Sequence, residues 1–329
     1  MMKTPKRYLW PSDYMADPSV HVFDGRLYIY PSHDWESGIP DDDFGSEYDM
    51  KDYHVLTLDG PDPMSSPVKD SGAVLRREEI AWAGRQLWDC DVARKDGKYY
   101  LYFPMKDKND IFRIGVAVAD NPCGPFVPQS DPMRGSYSID ICVFEENGEH
   151  YMYVGGIWGG QLQRYRDNKA LDSGSTLPAD DQPALCPKVV RLSDDMLQFA
   201  EEPRDVMILD EDGRPLLAGD NSRRFFEAAW LHKYNGKYYF SYSTGDTHLL
   251  CYAIGDSPFG PFTYKGVIMT PVVGWTTHHS IVEYGGKWWL FHHDSVPSGG
   301  VNCLRSLKVC ELRYNADGTI VTVDGRDDY

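Results

Sequence analysis

The sequence predicts an all-β chain, a five-bladed β-propeller, on the strength of two repeats and the absence of helical periodicity. The first repeat is a short phrase, FDGRLYIY at 23–30, KDGKYYLYF at 95–103, ENGEHYMYV at 146–154, YNGKYYFSY at 234–242 and YGGKWWLFH at 284–292. Each places Asp-Gly, Asn-Gly or Gly-Gly before a run of aromatic and aliphatic residues. Such dipeptides tolerate positive φ in a hairpin turn, and the run that follows favours a half-buried strand. Hairpins recurring from residue 23 to 292 suit radial repetition, with one closed catalytic domain over 1–329 as the simplest organisation.

The second repeat is AVADNPCGPF at 117–126 and AIGDSPFGPF at 253–262, each following its hairpin phrase at a similar distance. Proline with glycine there breaks a strand, as expected where the third strand of a four-stranded blade ends. DEDGRPLLAGD at 210–220 has a turn but no aromatic run, and is assigned to the third or fourth blade rather than to a sixth. Segments 31–53 and 157–205 read as long irregular loops, which in a compact domain usually serve function. SDDMLQFAEE at 193–202 reads as one short helical turn. No long amphipathic helix is present.

The 329 residues carry 33 Lys plus Arg against 50 Asp plus Glu, a net charge of −17. Nucleic acid and anionic membranes are disfavoured as partners, because both are held largely by cationic side chains. A neutral ligand such as a sugar is compatible. Hydrophobic residues make up 42% and aromatic residues 13%, enough for a sizeable core. Seven cysteines without CxxC spacing read as reduced, buried thiols. The start, MMKTPKRYLWPSDY, lacks an apolar h-region. The expected location is therefore the cytoplasm, or the periplasm or exterior where a signal peptide has been removed.

In a propeller the innermost strand of each blade lines the axis, and its start faces the ligand end. An acid lies just ahead of four hairpins: Asp17 in ADPSVHVF, Asp91 in WDCDVARK, Asp140 in SIDICVFE and Glu227 in RFFEAAWLHK. One such acid alone reads as a strand-end cap. Four at equivalent positions point to carboxylates converging on the axis, where mutual repulsion raises at least one pKa and provides both an acid and a base.

With ADPSV near the start, the IDICVF and FFEAAW strands and the late THHSIVEYGGKWWLFHHD segment, the chain resembles glycoside hydrolase family 43 from about residue 11 to 320. The resemblance implies a five-bladed propeller that hydrolyses xylosides and arabinofuranosides with inversion. It implies Asp17 as the general base, Glu227 as the general acid and Asp140 as the modulator of the acid's pKa and orientation. Inversion requires base and acid about 6.5–9.5 Å apart, to admit a water. Phe225, Phe226 and Trp230 are expected to surround Glu227 with apolar surface.

Two departures stand out. The family's Glu-Gly-Pro at the acid is Glu227-Ala228-Ala229 here, which leaves the local backbone open. Its Trp-Ala-Pro-Asp is Trp88-Asp89-Cys90-Asp91, keeping Trp88 as a sugar platform and Asp91 as a structural or substrate-contacting acid. The resemblance places an axial histidine on His278, which in some members contacts calcium mostly through water. A structural calcium and a hydrogen-bonded core histidine are both open readings there, and the chemistry needs no cofactor. Arg305 corresponds to an arginine that reaches sugar hydroxyls, with a surface arginine paired to an acid as the bland alternative. His292 and His293 read as packing residues.

Invertase-like fructosidases fit less well, because valine rather than proline follows Arg204-Asp205. A non-catalytic sugar-binding propeller would not need three acids in these places. The expected activity is exo-release of terminal xylose from xylooligosaccharides, with α-L-arabinofuranosidase or dual activity as the alternative.

Overall fold

All five glycine phrases are two-residue hairpin turns in the computed structural model, which describes residues 4–164, 177–275 and 277–326. The central pairs Asp24-Gly25, Asp96-Gly97, Asn147-Gly148, Asn235-Gly236 and Gly285-Gly286 all have positive φ, for example 47° at Asn235 and 77° at Gly236. Positive φ at both central residues gives a turn whose twist matches that of the paired strands.

Each hairpin forms the inner half of one blade, giving a five-bladed β-propeller. Blade one comprises Met15–Phe23, Arg26–His33, Asp52–Leu58 and Val68–Arg76. Blade two has Asp91–Lys95, Lys98–Asp107, Phe112–Ala119 and the short Val127–Pro128, with Ala83–Leu87 paired to the far half of Lys98–Asp107. Blade three has Cys142–Glu146, Glu149–Val154, Lys188–Arg191 and Arg204–Asp205, and blade four has Glu227–Tyr234, Lys237–Ser243, Leu250–Gly255 and Phe262–Met269. Blade five has His279–Tyr284, Lys287–Asp294 and Ser306–Leu312, and takes its fourth strand from the start of the chain, Lys6–Tyr8. That last pairing closes the ring and leaves the final blade only a short outer edge.

The second strands are buried on both faces, unlike the half-buried strands that the aromatic runs suggested. In Lys237–Ser243 every residue after the first is buried, because each blade is packed between two neighbours. The core is accordingly a set of apolar seams. Val20, Leu27 and Ile29 meet Trp289, Phe291 and Val309 between blades one and five. Tyr100, Tyr102 and Val116 meet Val143, Met152 and Val190 between blades two and three. The Pro-Gly repeat does end third strands, at Ala119 and Gly255.

Two local expectations are corrected and a third, the assignment of 210–220 to the third or fourth blade, holds. Residues 193–202 form a turn and not a helix, with Ser193 Oγ accepting from Gln198 N at 3.0 Å and donating to its carbonyl at 2.9 Å; the serine and glutamine close the loop on themselves before a helical bond can form. Segment 157–205 is only partly irregular, since Lys188–Arg191 and Arg204–Asp205 are strands of blade three; its residues 165–176 lie outside the described residues. Segment 210–220 follows Ile208–Leu209, which pairs in parallel with Phe262–Met269 of blade four. Among the described residues the only helices are three-residue 3-10 turns, and no helix is long and apolar enough to cross a membrane. None of the seven cysteines is in a disulfide, and four of them are buried.

Candidate active site

The inner strands begin irregularly, and those irregularities aim the acids. In blade one, Ala16 pairs with Ser32 and Ser19 with Tyr30, so Asp17 and Pro18 bulge opposite a single residue. In blade four, Glu227 pairs with Ser243 and Trp230 with Ser241, leaving Ala228 and Ala229 as the bulge. Bulges re-aim side chains without ending the strand. Asp17, Asp140 and Ala228 sit at φ 46°, 63° and 63°, a region costly for residues with a Cβ and typically retained where geometry serves function. Ala228 occupies the glycine position of the Glu-Gly-Pro pattern, and its backbone takes the left-handed conformation that a glycine there would suit.

These starts surround a cavity of about 380 Å³ at one end of the axis. Asp17, Asp89, Asp140, Glu227, His278 and Arg305 bring charge to it, and Trp88, Phe226, Trp158 and Trp275 bring apolar surface. Residues from blades one to five thus meet in one hollow, although Asp17 and Arg305 are 288 positions apart.

Asp17 is the electrostatic centre. Arg305 donates from Nη1 to its Oδ1 at 2.7 Å, and its own backbone N–H is received by His293 Nδ1 at 3.1 Å. Burial alone would raise the carboxyl's pKa, but Arg305, His278 and His293 pull it well below the usual carboxylate range. The Nε and Nη2 of Arg305 donate to Asp34, at 2.8 Å to each oxygen, and its guanidinium lies 4.9 Å from the centre of the Tyr48 ring. Arg305 therefore lines the cavity as the middle of a buried ion pair network and not as a surface arginine.

Asp140 ties two blades together. Its Oδ2 accepts from Ala228 N at 2.6 Å, immediately after Glu227, and lies 3.2 Å from His278 Nε2. Burial opposes a charge on His278, yet the carboxylates of Asp140 and Asp17 raise its pKa well above the ordinary histidine value. Asp89 goes the other way for a carboxyl: burial first, and then the charge of Asp140, raise its pKa well above normal. Asp89, Asp140 and His278 each offer one donor atom within 4.8 Å of the others. Together they hold two carboxyls that must share a proton or a cation.

Asp91, two residues from Asp89, does not line this cavity. Its buried carboxylate accepts from Ser19 and from the amides of Val92 and Val143, and lies 2.5 Å from His21 Nε2. It is a clasp joining blades one, two and three. Of the aromatics expected around Glu227, Phe226 faces the cavity. Phe225 packs on Phe240 and Tyr242, and Trp230 donates to Ile281 O at 3.2 Å. Phe225 and Phe226 precede the strand that starts at Glu227, and of the two only Phe226 lines the cavity. Trp88 lines the cavity, with Nε1 donating to Tyr48 O at 2.7 Å.

Several cavity residues were missed in the sequence. Asp89 differs from Asp91 only in register. Trp158 and Trp275, with ring centres 6.0 Å apart, come from irregular segments without a repeat. Asp41, Asp42, Asp43 and Glu47 belong to the acidic loop, whose length was the one signal available. Burial, helped by nearby Asp41, pushes Glu47 up to about 7.

The chain matches a family model described as Glycosyl hydrolases family 43 over residues 68–320. It is 69% identical to a xylosidase/arabinosidase of Bacteroides ovatus, over 99% of this chain and 100% of that one. It is 63% identical to a beta-xylosidase of Xylanibacter ruminicola, over 96% of this chain and 99% of that one. Its backbone superposes with a TM-score of 0.94 on a GH43 β-xylosidase/α-arabinofuranosidase from a compost microbial metagenome, solved with xylotriose in a calcium-free form. Identity to that structure is 57%, with 99% of each chain covered.

Proposed function

The chain belongs to glycosyl hydrolase family 43 and is a glycoside hydrolase, and from that premise we propose that it removes terminal xylose from xylooligosaccharides with inversion at the anomeric carbon. The observation that carries this reading is the convergence of Asp17, Asp140 and Glu227 on one sugar-sized hollow.

In this reading Asp17 is the general base. The Arg305 guanidinium keeps it ionised, so it is ready to accept a proton from a water beneath the sugar. Glu227, from a blade not adjacent to that of Asp17, is the general acid that protonates the departing oxygen. Separation across the axis suits the gap an inverting pair needs, about 6.5–9.5 Å. Asp140 is a positioning residue: its bond to Ala228 N fixes the strand start that carries Glu227, and its charge bears on the acid's pKa. Trp88 and Phe226 offer apolar faces to the sugar ring, and Arg305 offers a charged edge to its hydroxyls. A cavity walled by the 34–51 segment and by Trp158 favours attack on a chain end over an open groove.

Dual activity on α-L-arabinofuranosides is the second reading. It is favoured by the double names of the Bacteroides ovatus relative and of the xylotriose-bound structure.

The donor set of Asp89, Asp140 and His278 fits a calcium ion with most of its ligands supplied by water, the two carboxyls giving oxygen and the imidazole taking part only once it has lost its proton. When bound, calcium would supply positive charge and replace the proton these groups otherwise share. The hydrolytic steps rest on the carboxyl groups of the chain.

Proton NMR of the xylose first released from an aryl β-xyloside, whose leaving group adds no second anomer, tests the mechanism. α-Xylose is expected, and β-xylose as the first product would overturn it. Parallel assays on aryl β-xyloside and aryl α-arabinofuranoside rank the two substrates.

A further inference from the structure

Blade one carries a second cluster of potential ligands that the sugar cavity does not use. His33 ends the second strand of the blade, and Asp52 and His54 lie two apart on the third strand, on one face of the sheet. The strands pair at Ser32 and Tyr53, one residue away, which brings the three side chains together. One donor atom from each of His33, Asp52 and His54 lies within 4.8 Å of the other two, and the imidazole centres are 4.4 Å apart. Further carboxylates flank them. Asp70 sits 2.9 Å from His54 Nδ1 and Asp13 sits 3.3 Å from His33 Nε2, while His33 Nδ1 is 2.6 Å from Asp52 Oδ1.

We propose that His33, Asp52 and His54 form a binding site for a divalent transition metal such as Zn²⁺, which staples together the two ends of the 34–51 segment. Two imidazoles and a carboxylate suit Zn²⁺ or Co²⁺ better than Ca²⁺ or Mg²⁺, which prefer all-oxygen sets. A carboxylate on the outer nitrogen of a metal-bound imidazole orients the ring and raises its basicity. Asp70 is placed for that at His54, leaving Nε2 as the ligand nitrogen. Metal entry displaces the proton shared by His33 and Asp52 to solvent. The half-buried position, with side-chain exposures of 21%, 23% and 13%, leaves room for a water to complete the coordination.

The location gives the site a consequence. Between His33 and Asp52 the chain makes its excursion to the sugar cavity, supplying Asp34 to Arg305 and Asp41, Glu47 and Tyr48 to the wall. A cross-link at the base of an excursion restricts the freedom of everything it carries.

The test uses the full chain stripped with a chelator and then given Zn²⁺ alone. Calorimetry should register binding that is lost in His33→Ala, Asp52→Asn and His54→Ala, and the melting midpoint should rise by roughly 3–6 °C at a hundredfold excess over Kd. Co²⁺ should give a visible ligand-field spectrum lost in the same variants. Amide exchange in 34–51 should slow on Zn²⁺ addition. His278→Asn, which removes the axial donor, should retain all of these responses. The shift is read within each variant, so a lower starting stability does not obscure it. No response in the natural chain would overturn the site, as would a response kept in His54→Ala and lost in His278→Asn. Binding without slower exchange in 34–51 would overturn the staple.

Discussion

Arg305 divides its guanidinium between two buried acids, giving Nη1 to Asp17 at 2.7 Å and Nε and Nη2 to Asp34 at 2.8 Å each. Because this cation holds the Asp17 carboxyl down, the proposed base should stay ionised throughout the working range. Asp17 also contributes stability above the ordinary carboxylate value, which is lost as pH falls below about 4 toward its lower folded value. Arg305→Lys cannot reproduce the fork on Asp34. It should lower kcat/KM by on the order of tenfold or more and move the acidic limb of the pH profile upward, because Asp17 then protonates at higher pH. A limb that stays in place would remove the proposed link.

Glu227→Gln keeps the shape and removes the transferable proton. The loss in kcat should be on the order of 10²–10⁴-fold on xylobiose and much smaller on an aryl xyloside with an activated leaving group. Equal losses on both substrates would count against Glu227 as the acid.

Ala228 carries a methyl group at φ 63° beside that acid. Ala228→Gly should leave stability unchanged or raise it by up to about 1 kcal/mol, and Ala228→Val should cost about 1–3 kcal/mol. Urea melts of the three proteins decide it; a valine variant as stable as the alanine protein would show that the backbone there is unstrained.

Asp91 should matter to stability and not to sugar binding. Asp91→Ala strands two amides and two side-chain partners in a buried place and should cost about 2–4 kcal/mol. KM of the surviving folded protein should be unchanged. A raised KM at undiminished stability would return Asp91 to the substrate.

If calcium serves the axial group, chelation should lower activity, calcium should restore it, and Asp89→Asn should blunt the response. Activity indifferent to chelator and to added calcium would leave Asp89, Asp140 and His278 as a proton-sharing cluster.

The hairpins were legible because Asp24-Gly25 and its four counterparts answer a local demand for positive φ that few other residue pairs meet. The acids were legible because each stands six to nine residues ahead of the glycine of such a turn. Asp89 was not, since bulges and irregular starts decide which of two acids two positions apart reaches the axis, and a bulge leaves no periodic trace. The same holds for Phe225 against Phe226.

The sequence by itself determined the blade count, the inner strands and the three acids at their starts, because turn chemistry and strand patterning act over a few residues. Only the tertiary structure decided that Arg305 answers to Asp34 as well as Asp17, that Asp91 clasps blades while Asp89 meets the cavity, and that His33, Asp52 and His54 share one face. Those outcomes depend on ring closure and on pairing between distant strands, and no short stretch of chain contains that information.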